Sequence, residues 1–183
     1  METALEYILA NTYKKDMMAY MDAHPESFEE LVILAISDKQ PYAWRAAWLM
    51  WSCMKENDTR IQKYIKDIIN SLPNKNEDHM RELIKILLNV ELNKAYEGIL
   101  FDLCVSIWEK IQTKPSIRFS AFKMIIKIAK KHPDLSNEIK FLIQDQYMDS
   151  LSPVVKRSIT KMIKELEINK KSNQGEYKNK SEI

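Results

Sequence analysis

The 183-residue chain reads as all-α, built from helix pairs that repeat and stack on one another. Three observations predict this class. First, a pattern of one apolar, one basic, two variable and one apolar residue occurs four times. It is seen at Trp44-Arg45-Ala46-Ala47-Trp48, Met80-Arg81-Glu82-Leu83-Ile84, Ile117-Arg118-Phe119-Ser120-Ala121 and Val155-Lys156-Arg157-Ser158-Ile159. The first residues lie 36, 37 and 38 positions apart, and a fixed period of that size marks a stacked repeat protein. Second, only two glycines occur, Gly98 and Gly175. That is too few for hairpin turns or phosphate-cradling loops, while Leu, Ile, Met, Ala, Lys and Glu dominate and mostly favour helix. Third, all six prolines fall where a helix should begin or end.

In chain order, 2–10 and 13–23 are expected to form an opening pair that caps the array within 1–26. Helix 27–37 follows Pro25 and helix 41–55 starts at Pro41. Proline suits a first helical turn because its missing N–H has no intrahelical partner there and its φ is already set. Asp58 is the N-cap candidate for 58–71, and Pro73 closes that helix before 77–90. Helix 95–112 is followed by 116–131, with Pro115 and Ser116 at its start. Ser136 is the N-cap candidate for 136–148, and Pro153 opens 152–167. The junctions His24-Pro25-Glu26-Ser27 and His132-Pro133-Asp134-Leu135 echo each other, each placing an acid near a helix start, where the macrodipole favours it. Four pairs thus fill 27–167 of a single domain, 1–167. Residues 168–183 lose the periodicity and are expected to be a polar, disordered tail.

The second helix of each pair tests the register. Counted from the apolar residue before the base, positions 1, 5, 8, 9 and 12 share one helix face. The last helix gives Val155, Ile159, Met162, Ile163 and Leu166; the third gives Ile117, Ala121, Met124, Ile125 and Ile128. The second gives Met80, Ile84, Leu87 and Leu88 but fails at Glu91. The first gives Trp44, Trp48 and Trp51 but fails at Ser52 and Lys55. Apolar residues fill 17 of these 20 places, against about 9 expected from composition.

Period, prolines and stripe together resemble the HEAT-like repeats of the armadillo-like α-solenoid class, in which helix pairs recur about every 37 to 47 residues. There the second helix often starts with proline or aspartate and then Val-Arg-x-x-Ala. Ile117-Arg118-Phe119-Ser120-Ala121 after Pro115 matches best; the second pair lacks the proline and carries Pro73 in its loop. The resemblance covers 27–167. It implies a right-handed α-α superhelix of four to five pairs, with the second helices lining a concave groove. It also implies that Arg45, Arg81, Arg118 and Lys156 reach carbonyls or carboxylates of a neighbouring repeat and set the stacking. Ligand contact is the alternative for these four.

Composition narrows the function classes. Apolar residues make up 45% and charged residues 30%, an ordinary soluble balance. The start, Met1-Glu2-Thr3-Ala4-Leu5-Glu6, has neither a basic region nor an unbroken apolar run, so no signal peptide is expected. No charge-free window of 18 apolar residues suggests a membrane helix. Cys53 and Cys104 lie among apolar neighbours and read as free thiols of a reducing, cytoplasmic compartment. His24, His79 and His132 have no second His or Cys three or four residues away, and Glu82 is a lone carboxylate after His79. Neither metal nor cofactor is expected. No nucleophile elbow, Walker loop or dinucleotide fingerprint occurs, and Glu29-Glu30 and Glu77-Asp78 sit near helix starts as dipole partners. Nothing supports an enzyme.

The surface is more informative. Residues 1–109 carry 12 bases and 18 acids, whereas 110–183 carry 16 and 8. Positions 3, 6, 7 and 10 of the second helices, on the groove side that the resemblance implies, give Ala46, Leu49, Met50 and Cys53, then Glu82, Lys85, Ile86 and Asn89. The third helix gives Phe119, Phe122, Lys123 and Ile126, with Lys127 and Lys130 beside them; the fourth gives Arg157, Thr160, Lys161 and Lys164. Met50, Phe119, Lys123, Lys127, Arg157, Lys161 and Lys164 are the partner-binding candidates, and a merely solvated lysine face is the simpler alternative. Trp44, Trp48 and Trp51 share one face, either filling core or anchoring a ligand on the groove; Trp108 is expected in the core. The first reading is a non-catalytic protein–protein interaction module, monomeric, binding an acidic or mixed apolar-acidic peptide. The second is nucleic-acid binding, because HEAT-like arrays include the bacterial DNA alkylation-repair glycosylases.

Overall fold

A computed structural model describes residues 2–180, with side chains described at 2–135 and 137–168. Every regular element among them is helical, and the chain divides into two compact units, Met1–Tyr96 and Glu97–Ile183. The tail expected at 168–183 lies, but for Ile168, outside the residues with described side chains. Among the described residues no helix is long and apolar enough to cross a membrane.

The first unit contains α1 (Ala4–Asn11), α2 (Lys14–Ala23), α3 (Phe28–Ile36), α4 (Tyr42–Cys53), α5 (Ile65–Ser71) and α6 (Glu77–Leu88). Local chemistry sets their starts. Thr3 and Glu6 form a reciprocal capping box on α1, and the Asn76 side chain accepts from the His79 N–H at 3.0 Å at the head of α6. Asp58 caps as expected by type, but it opens a 3₁₀ turn, Thr59–Tyr64, ahead of the shorter α5. Helix α4 is the hub: α1, α2, α3 and α6 all lie against it. The face that makes this possible is Ala43, Ala46, Ala47 and Met50, with Leu49 beside it, all 0% exposed. Alanine lets neighbouring helix axes approach closely, so a hub helix must turn its small residues inward.

That orientation corrects the expected groove in this unit. Met50 is core and presents nothing to a partner, as do Ala46 and Leu49. Glu82 and Ile86 of α6 are buried too. Trp44 and Trp48 are instead half-buried and Trp51 is exposed.

The second unit holds most of α7 (Lys94–Glu109), then α8 (Pro115–Ala129), α9 (Ser136–Leu142), α10 (Asp145–Met148) and α11 (Pro153–Lys180). Pro115 and Pro153 occupy first helical turns. Trp108 is fully buried, its ring centroid 4.6 Å from that of Phe122. Its Nε1–H donates to the Leu142 carbonyl at 2.7 Å. This bond takes an oxygen from the end of α9, and Gln144 is extended (φ −64°, ψ 154°), so the helix expected over 136–148 is two short ones. Helix α11 lies against α8. Cys104 is a buried free thiol, pushed up to about 12 by desolvation alone, and Cys53 is half-buried.

Candidate functional site

The four repeated bases are all engaged. Arg45 Nη2 donates to the Thr12 carbonyl at 2.9 Å, while its Nε and Trp44 Nε1 are buried without a hydrogen-bond partner. Arg81 holds Glu82 Oε1 through Nε at 3.1 Å and Nη2 at 2.8 Å. Glu82, 1% exposed, also takes Lys85 Nζ at 2.7 Å. Arg118 is completely buried. It donates to the Trp108 carbonyl at 2.8 Å, the Tyr147 carbonyl at 2.6 Å and Ser150 Oγ at 2.8 Å, with its guanidinium 4.6 Å over the Trp108 ring. Lys156 Nζ lies 3.5 Å from Asp149. Two of the four bases thus bind backbone carbonyls and two bind carboxylates.

The remaining candidates fall on α8 and α11 within the second unit. Helix α8 is buried on most of its circumference; Lys123 and Lys130 are exposed and Phe119 and Lys127 half-buried along one narrow strip. Phe122 and Ile126, expected on that strip, are core. On α11, Arg157, Lys161 and Lys164 are exposed. Lys123 Nζ stands 4.5 Å over the Phe119 ring. Lys130 approaches Glu165 of α11 at 4.0 Å, and Lys161 reaches the same carboxylate at 4.0 Å, which ties the two helices' exposed edges together. None of the ion pairs among the described residues uses Lys123, Arg157 or Lys164. The resulting surface is a cationic row with one partly open aromatic ring.

In the first unit the exposed chemistry is different. Trp51 stacks under Lys85 Nζ at 3.9 Å and Trp48 under Lys14 Nζ at 5.3 Å, so each indole already meets a cation from its own unit. A polar cavity of about 520 Å³ is lined by Met21, Phe28, Cys53, Lys55, Asp58 and Arg60, among others. Two of its charged residues satisfy one another: Arg60 chelates Asp58 at 2.9 and 2.6 Å and lies 3.8 Å over Phe28, while Asp22, Lys55 and Glu56 also line the cavity. The hydrogen bond from Arg60 keeps the Asp58 carboxyl below its usual range. Among the described residues no three His, Cys, Asp or Glu side chains converge as a metal site would require.

Sequence reasoning missed His79 as a buried residue. Its Nε2 lies 2.7 Å from the Ala35 carbonyl and its Nδ1 3.4 Å from Gln40 Nε2. Nε2 therefore carries the proton and Nδ1 accepts. A signal was present: His79 sits four residues before Leu83 and seven before Ile86, on the apolar side of α6.

A family model described as HEAT repeat domain matches residues 1–166, so the chain belongs to the HEAT repeat family. No curated protein and no solved structure matches the chain.

Proposed function

We propose that this HEAT repeat protein is a non-catalytic interaction module whose α8–α11 surface binds an acidic segment of a partner protein. The observation that carries the reading is the row of Lys123, Arg157, Lys161 and Lys164, exposed on adjacent helices beside the half-buried Phe119. Stacked helices supply a rigid backbone for such a row, so little ordering cost attaches to binding. Rim cations mainly steer and orient; Phe119, with Lys123 above it, offers the apolar contact that adds lifetime. Lys127 flanks that contact on α8.

The test is anisotropy with a labelled peptide of glutamates around a single tryptophan, together with co-purification from cells. The Lys123→Glu/Lys161→Glu variant is expected to weaken the peptide about tenfold or more and to strip proteins from the co-purified set. Unchanged affinity and an unchanged set would sink the reading. Retention of duplex DNA by the wild-type chain, with a steep log–log loss on adding salt and no peptide binding, would replace the peptide with nucleic acid.

A further inference from the structure

The second unit carries a cleft of opposite character. It has a volume of about 400 Å³ and is lined by residues of α7 and α9. On α7, Asp102, Val105 and Glu109 fall at i, i+3 and i+7, one stripe of the helix; on α9, Glu138, Phe141 and Leu142 fall at i, i+3 and i+4. The two stripes share the cleft. Its floor is apolar: Phe101 and Leu142 are 7% and 5% exposed. At its lip Phe141 is 64% exposed, although its chain neighbour Leu142 is held inward by the bond from Trp108.

The rim is acidic without compensation. None of the ion pairs among the described residues uses Asp102, Glu109 or Glu138, and Glu109 accepts a 3.4 Å hydrogen bond from Tyr147. Lys110 and Lys140 are neighbours in the chain but do not line the cleft. The acids stand out because residues 97–183 carry 16 bases against 11 acids. A negative cleft on a positive unit selects by sign. An exposed phenyl at the edge of an apolar floor selects for a bulky side chain that would remove both from water.

We propose that the α7–α9 cleft docks a cationic partner segment, with lysines or arginines on either side of one bulky apolar residue. The apolar side chain enters over Phe101 and Leu142 and covers Phe141; the flanking cations meet Asp102 and Glu109 on α7 and Glu138 on α9. The occupant is complementary in both respects that the cleft leaves unmatched. It is also opposite in charge to the segment proposed for the α8–α11 row, so the two sites can fail independently.

The experiment uses the full chain and two labelled probes of equal charge and length, one alternating lysine and leucine, the other alternating lysine and serine. The leucine probe is expected to bind about tenfold more tightly than the serine probe. Asp102→Lys/Glu138→Lys should weaken it tenfold or more, about the same factor, and Phe141→Ser about threefold to tenfold, with thermal unfolding unchanged in both. Lys123→Glu/Lys161→Glu should leave this binding in place. Equal binding of the two probes, or indifference to Phe141→Ser, would reduce the cleft to a diffuse charge effect and overturn the proposal. Concentration-dependent self-association of the wild type, lost in the same variants, would overturn it in favour of a second copy as occupant.

Discussion

Arg118 sits at 0% exposure among neutral oxygens, the carbonyls of Trp108 and Tyr147 and the hydroxyl of Ser150. Burial lowers its pKa, yet guanidinium ionises so far above neutrality that it stays charged, and its planar fork is what distributes donors to three acceptors. Arg118→Lys keeps the charge but cannot span them. It is expected to cost about 2–4 kcal/mol in urea unfolding, because buried acceptors lose donors; a change within experimental error would contradict this account. His79 makes a pH prediction. Desolvation lowers its folded pKa, while the unfolded imidazole titrates near about 6.5. Just below that value the unfolded chain binds more protons than the folded one. The contribution of neutral His79 is therefore complete above about pH 6.5 and is lost as pH falls through the folded value. Unfolding measured from neutral to mildly acidic pH should show this slope, and His79→Gln should flatten it. Asp58, held down by Arg60, loses its contribution only at more acid pH, in the carboxylate range.

Among the elements, α7 and α4 show how helix strength and helix packing separate. Gly98 is exposed in α7, and a Cβ built there meets nothing within 4 Å. Its backbone φ is not positive, so glycine serves no conformational need. Gly98→Ala is expected to stabilise the protein by about 0.5–1 kcal/mol, chiefly by restricting the unfolded chain, readable as a raised urea midpoint with unchanged slope. In α4 the alanines have the reverse meaning. Ala43, Ala46 and Ala47 are fully buried on the helix that four others pack against, and their small size lets those axes approach.

For the whole molecule, charge is segregated between the two compact units. Residues 1–96 carry 12 bases and 15 acids, and residues 97–183 carry 16 and 11. The formal net charge of +2 hides this. Such a field acts at a distance set by salt, about 30 Å at 0.01 M and about 10 Å at 0.1 M. Stopped-flow association of the glutamate–tryptophan peptide should slow as salt rises across this range, while dissociation changes little, because steering governs encounter and local contacts govern lifetime. Equal salt effects on both rates would argue against steering.

What the sequence by itself determined is the helical class, the pairing and most helix starts, though not the 3₁₀ turn over Thr59–Tyr64 or the break between α9 and α10. Proline and N-cap chemistry act within a few residues, so Pro41, Asp58, Pro115 and Pro153 mark their boundaries whatever surrounds them, and the scarcity of glycine is equally local. The period of about 37 residues is likewise written in the chain. What only the tertiary structure decided is which face of a helix turns inward when both faces are apolar. On α4 the Trp44, Trp48 and Trp51 stripe and the Ala43, Ala46, Ala47 and Met50 stripe have the same periodicity. Hydrophobicity favours the tryptophans as core, but the face that four helices pack against is three alanines with Leu49 and Met50, whose smaller volume lets the axes approach. On α8 the stripe led by Ile117 faces core as expected, but the opposite strip narrows to exposed Lys123 and half-buried Phe119 and Lys127, because Phe122 and Ile126, expected beside them, are core. The α7–α9 cleft was not legible in advance, because it joins two stripes about 30 residues apart in sequence.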